Sequence, residues 1–124
     1  MPRKKVTFDT VRKIGLALPG TEETTSWGVP ALKIKGQMYA CVPTHKSAEP
    51  DSLVVRMDFD QREGLLAEAP DVYYLKDHYV SYPCVLVRLS KIDESALRDL
   101  LTMGWRYVST KGKSKRATKR RSES

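Results

Sequence analysis

Asp77-His78-Tyr79-Val80-Ser81-Tyr82-Pro83-Cys84-Val85-Leu86-Val87-Arg88-Leu89 sets a cluster of polar and aromatic side chains directly before the most hydrophobic strand in the chain. The unbroken run of aliphatic and β-branched residues from Cys84 reads as a buried strand, because such side chains fit a pleated, covered surface. Pro83 has no N–H for a ladder, so it belongs at the start of that strand or on an edge. His78, Tyr79 and Tyr82 are therefore held beside a buried sheet. That placement suits a ligand site, and it equally suits a turn that packs.

Outward from this stretch, the neighbouring segments read as strands and helices that can cover it. Val72-Tyr73-Tyr74-Leu75-Lys76 is a strand, joined to the next by the connection 77–81. In Leu53-Val54-Val55-Arg56-Met57-Asp58, alternation puts Leu53, Val55 and Met57 on one face and Val54 and Arg56 on the other. Ala31-Leu32-Lys33-Ile34-Lys35, then Gly36-Gln37, then Met38-Tyr39-Ala40-Cys41-Val42 reads as a hairpin. Glu22 to Pro30 is a polar approach to it, and Pro43 to Ser52, which contains His45, is a loop by composition.

Three helices accompany the strands. Thr7 is a candidate N-cap for Phe8, Val11, Ile14 and Leu18 at helical spacing, and Pro19-Gly20 ends that helix. Asp60 and Glu63 have the spacing of a capping box for a short helix through Leu65-Leu66 that stops at Pro70. Asp93 caps the last helix, where Leu97, Leu100, Leu101, Gly104, Trp105 and Val108 make the clearest apolar stripe in the chain. The order α-β-β-β-α-β-β-α predicts an α+β fold, a largely antiparallel sheet of about five strands with helices on one face.

The net charge of +7 is unevenly distributed. Residues 1–5 carry three basic side chains, residues 109–124 carry seven against one acid, and 6–108 hold twelve basic against fourteen acidic residues. The expected organisation is a basic arm at 1–5, one domain at 6–109 and a disordered basic tail at 110–124, since the tail has no apolar side chain larger than alanine. At 124 residues the chain is long enough to bury a core without disulfides. Cys41 and Cys84 show no metal or CxxC spacing and suit reduced thiols in a cytoplasm. No run of about 18 apolar residues exists, so no membrane is expected as a partner.

Two kinds of site are legible. Outward positions on the sheet hold Lys33, Lys35, Arg56, Lys76 and Arg88, which with the tail residues Lys111, Lys113, Lys115, Arg116, Lys119, Arg120 and Arg121 would meet phosphate. An ordinary solvated sheet face is polar and often Lys-rich as well. The second is a ligand cluster at Glu23, Trp27, Lys33, Asp77, His78, Tyr79 and Tyr82. No P-loop, Gly-rich dinucleotide motif, nucleophile elbow or metal-ligand spacing is present, so no catalytic residue, cofactor or metal is assigned. Asp77 and His78 are adjacent, and on an extended chain their side chains diverge rather than pair.

Several of these motifs recur together in one family. Leu18-Pro19-Gly20-x-x-Glu23, Trp27-Gly28-x-Pro30-Ala31-Leu32-Lys33-x-x-Gly36, Asp77-His78-Tyr79 with Tyr82-Pro83, and a Leu-rich last helix ending in Trp105-Arg106 resemble the MmcQ/YjbR family of small bacterial proteins. The likeness covers about residues 6–108. It implies a frataxin-like (CyaY-like) α+β fold and DNA as the partner, and it matches the family's polar and aromatic positions at Glu23, Trp27, Lys33, Asp77, His78 and Tyr79. Many relatives carry tryptophan where this chain has Tyr79, and the basic tail lies outside the family pattern. The expected function is weak, mostly non-specific DNA-backbone binding. The alternative is a small-molecule or anion-binding domain, possibly an enzyme, centred on His78, Tyr79 and Trp27.

Overall fold

The computed structural model describes residues 6–26, 28–43, 48–49 and 51–122, apart from the side chains of residues 26 and 111–122. The elements are α1 (Phe8–Leu16), β1 (Thr21–Ser26), β2 (Val29–Ile34), β3 (Gln37–Cys41), β4 (Ser52–Arg56), α2 (Phe59–Glu68), β5 (Tyr73–Tyr74), α3 (Asp77–Val80), β6 (Cys84–Arg88) and α4 (Glu94–Ser122). The strands form one sheet in the order β1-β2-β3-β4-β6-β5, and every neighbouring pair is antiparallel. This is the α+β class expected from the sequence. It has six strands rather than about five, because the polar approach Thr21–Ser26 pairs along its whole length with Val29–Ile34. Backbone pairing needs no apolar alternation, so that strand left no period in the sequence.

One face of the sheet carries the main core. Leu32, Ile34, Leu53, Val55, Val85 and Val87 bury against Val11 and Ile14 of α1 and against Leu97, Leu100, Leu101 and Val108 of α4. Each such side chain contributes about 1.5–3 kcal/mol relative to exposure. Glycine sets how closely two helices lie. A Cβ on Gly15 would fall 2.3 Å from Leu32 Cδ1, and one on Gly104 would fall 2.8 Å from Val55 Cγ1 and 3.1 Å from the Arg56 carbonyl oxygen.

The other face is covered too, which departs from the expectation of helices on one face only. Val54, Cys84 and Leu86 form a second apolar cluster with Tyr74 and Tyr79, and Tyr79 comes from α3, a helical turn within the connection 77–81. Apolar residues point both ways from β4 and β6, so leaving either face in water would expose them. Between β2 and β3, Leu32 pairs with Ala40 and Lys33 with Met38, which leaves Tyr39 as the extra residue of a bulge. The bulge turns Tyr39 into the main core, where its hydroxyl lies 3.0 Å from Thr21 Oγ1, and leaves Met38 on the second face.

The helix boundaries match local chemistry with one shift. Thr7 is the N-cap of α1, and its N–H donates to Thr10 Oγ1 at 3.2 Å. Asp93 accepts the Ala96 N–H at 2.7 Å at the start of α4. Helix α2 is capped by Asp58, which accepts the Gln61 N–H at 2.8 Å, so Asp60 lies inside the first turn rather than at the cap. The bounds of α4 run past Thr110, where the sequence places the start of a disordered tail. The side chains of Lys111 to Arg121, the arm at 1–5 and His45 lie outside the described residues.

Candidate functional site

The stretch from Asp77 to Cys84 forms one wall of a groove on the second face of the sheet. Helix α3 is a single turn, anchored by Tyr79, which is buried on Val54, Cys84 and Leu86. His78 lies edge-on to the Tyr79 ring at 4.8 Å between centroids and 6.0 Å from the Tyr82 ring. Across the groove stand Val29 of β2 and Met38 of β3, with Cys41, Val54 and Cys84 among the residues between and Arg56 also lining it. The open groove has a volume of about 370 Å³. Arg56 is half-buried, donates from Nη1 to the Met38 carbonyl at 3.4 Å, and sits 5.8 Å from the Tyr107 ring of α4.

A buried arginine holds this wall in place. Arg62 of α2 is 5 % exposed, and its Nη1 donates to the carbonyl oxygens of Val80, Tyr82 and Cys84 at 3.1, 2.9 and 3.2 Å. Its guanidinium also packs 4.6 Å from the Phe59 ring. A single cation thus ties three carbonyls, from the end of α3 to the start of β6, to α2. Arg62 was not singled out in the sequence, although it left a signal: it lies three residues after Phe59 and four before Leu66, a charge at an apolar helix position.

The opposite end of the second face is closed by a network across distant segments. Arg88 grips Glu49 through Nε and Nη2 at 2.8 and 2.9 Å, donates from Nη1 to the Pro70 and Asp71 carbonyls, and stacks 4.3 Å from Tyr74. The Tyr74 hydroxyl accepts the Glu49 N–H at 2.8 Å and bonds Ser52 Oγ. The hydrogen bond from Arg88 holds the Glu49 carboxyl below the usual carboxylate range and raises Arg88. Arg88 therefore works as an internal clamp on the loop before β4.

The remaining sequence candidates scatter. Glu23 takes the Arg12 Nε at 2.8 Å and pairs in register with Leu32, so it belongs to the α1 side and not to the His78 groove. Lys33 shares the second face with Met38, and its Nζ is 3.9 Å from Glu22. Lys35 is at the tip of the β2–β3 turn with φ 54°, exposed. Asp77 is exposed in the first turn of α3, and Trp27 lies outside the described residues. Of the proposed ligand cluster, the structure brings His78, Tyr79 and Tyr82 together and adds Arg56 from the phosphate set.

Burial pushes the Cys41 and Cys84 thiols up to about 11, so neither supplies a thiolate near neutral pH. Among the described residues, no group of three or more His, Cys, Asp or Glu is placed to hold a metal ion. No helix among them is long and apolar enough to cross a membrane.

The YjbR family model matches residues 16–107, which span the groove, both clamps and most of the two cores. The chain belongs to the YjbR family. Similar to this YjbR protein are an uncharacterized protein of Mycobacterium bovis and protein Rv2570 of Mycobacterium tuberculosis, also uncharacterized, each 32 % identical over 114 residues that cover 80 % of this chain and 85 % of the relative. A crystal structure of Deinococcus radiodurans protein DR2400, with a DUF419 domain, superimposes with a TM-score of 0.70 at 25 % identity, covering 86 % of this chain and 81 % of that one. The likeness extends over the α+β body.

Proposed function

We propose that this YjbR protein binds DNA through the phosphate backbone, weakly and without reading sequence. The carrying observation is the run of basic residues at the end of α4. Tyr107 of α4 sits 5.8 Å from Arg56, Arg106 and Thr110 line a depression with Lys35, and the segment with Lys111, Lys113, Lys115, Arg116, Lys119, Arg120 and Arg121 continues that helix in sequence. Cationic side chains on a polyanion release condensed counterions, and such binding falls steeply as salt rises. The sequence holds no helix-turn-helix or other recognised reader motif, so no base-edge readout is assigned. Two unpaired cysteines suit a reducing cytoplasm, where this activity would belong.

The test is anisotropy of labelled duplex DNA at several salt concentrations against the full chain, a 1–109 truncation, and the full chain with the seven basic residues of 111–121 changed to Gln. Both altered proteins are expected to lose most affinity and most of the salt dependence. Undiminished binding by both would refute a role for the segment.

A second reading has its own support in the groove lined by Arg56, His78 and Tyr82. There the body binds a small anionic ligand, His78→Ala weakens that binding, and removal of 110–124 leaves it unchanged.

A further inference from the structure

We infer that the groove beside α3 takes one unpaired base of a single-stranded nucleic acid, with the adjoining phosphate on Arg56. This rests on the backbone-binding reading above and adds the strand form that the protein prefers. The groove has the surfaces a nucleotide needs. Its floor is the buried apolar pair Val54 and Cys84, and one wall is aromatic, with Tyr82 half-exposed at the rim. Such rings stack on any base, because every base presents a π-face. About 370 Å³ lies at the small-ligand end of the range for binding sites. A base within a duplex is paired and stacked, so only an extruded or unpaired one reaches a recess of this kind.

Charge identifies the occupant further. A guanidinium at one end of an apolar, aromatic recess pairs with phosphate or carboxylate, and neutral apolar ligands gain nothing from it. Arg56 meets Tyr107 of α4, and that helix runs on in sequence into the basic stretch 111–121. A lone small anion needs only the recess and leaves the basic stretch unused. A longer strand offers further phosphates to that stretch while one base lies in the groove.

The experiment uses the full chain and four labelled probes of about 12 nucleotides, within the site sizes common for single-strand binders: oligothymidylate, oligouridylate, an abasic strand and a duplex. At one salt concentration, at least one base-bearing single strand is expected to bind about tenfold more tightly than the abasic strand, the size expected from one stacked base. Tyr82→Ala in the full chain should shrink that difference, and Arg56→Gln should weaken both strands alike, while both proteins keep their circular dichroism. Equal binding of abasic and base-bearing strands, equal binding of the duplex, or a difference untouched by Tyr82→Ala would overturn the base site and leave backbone binding standing. Absence of binding to all four probes at low salt would overturn both.

Discussion

Arg62 shows how one side chain holds the candidate site. Three carbonyls at the α3–β6 connection accept from its Nη1, that of Tyr82 also accepting the Cys84 N–H at 2.8 Å, and its Nε has no hydrogen-bond partner among the described residues. Truncation takes the donor from the buried Cys84 carbonyl and removes a buried side chain, so Arg62→Ala should lower stability by about 2–4 kcal/mol. A urea titration followed by fluorescence measures this as a lower midpoint, and an unchanged midpoint would refute the clamp. The two thiols act at the alkaline end. Burial raises Cys41 and Cys84 from the ordinary 9.0 to about 11, so the unfolded chain loses those protons first. Their stabilising contribution is complete below about pH 9 and is lost as pH rises towards about 11. Burial raises Tyr39 and Tyr73 as well, which steepens the same limb. Melting temperature should thus fall across this interval, and Cys84→Ala should flatten the fall.

At the scale of elements, turn geometry and close packing decide more than hydrophobic pattern. Lys35 and Gly36 join β2 to β3 with φ of 54° and 77°, the left-handed pair of a tight hairpin turn. Asparagine tolerates that conformation better than lysine, so Lys35→Asn should gain up to about 1 kcal/mol by thermal melting. The same change should weaken duplex DNA binding, which separates the residue's two roles. Gly104 faces fixed backbone at the Arg56 and Tyr39 carbonyls, so alanine there must push α4 off the sheet. Gly104→Ala should cost about 1–3 kcal/mol in a denaturant titration. The hairpin at Gly36 was legible from residue types. The α4 contact was not, because glycine within an apolar stripe signals close approach without naming the partner.

On the scale of the whole molecule, the near-neutral body and the basic segment separate two kinds of behaviour. If the segment 111–121 neutralises most of the phosphates, the full chain should show a log–log salt slope steeper by up to about 6 than the 1–109 truncation, which keeps at most the shallow slope of about −3 that Lys35, Arg56 and Arg106 supply. A truncation that keeps a steep slope would move the interface to Lys35, Arg56 and Arg106. Three other cations of the body are engaged internally: Arg62 with carbonyls, Arg88 with Glu49, Arg12 with Glu23. Alternation along β4 and β6 had suggested that Arg56 and Arg88 share a face, and they do flank the same two strands. Alternation contains nothing about the loop residue Glu49, 39 positions from Arg88, that turns one of them into a clamp.

The residue pattern by itself determined the α+β class, the caps at Thr7 and Asp93, the strands around Val55 and Val85, and the charge of the terminal segment. Each follows from neighbours within a few positions, where periodicity and propensity act. Tertiary structure alone decided that Thr21–Ser26 is a strand, that α3 closes the second face, that Glu23 departs from His78, and that Arg56 and His78 line one groove. These depend on pairings between residues far apart in the chain. Backbone ladders, buried carbonyls and the demand to cover both faces of a sheet select such pairings, and none of them writes a local period.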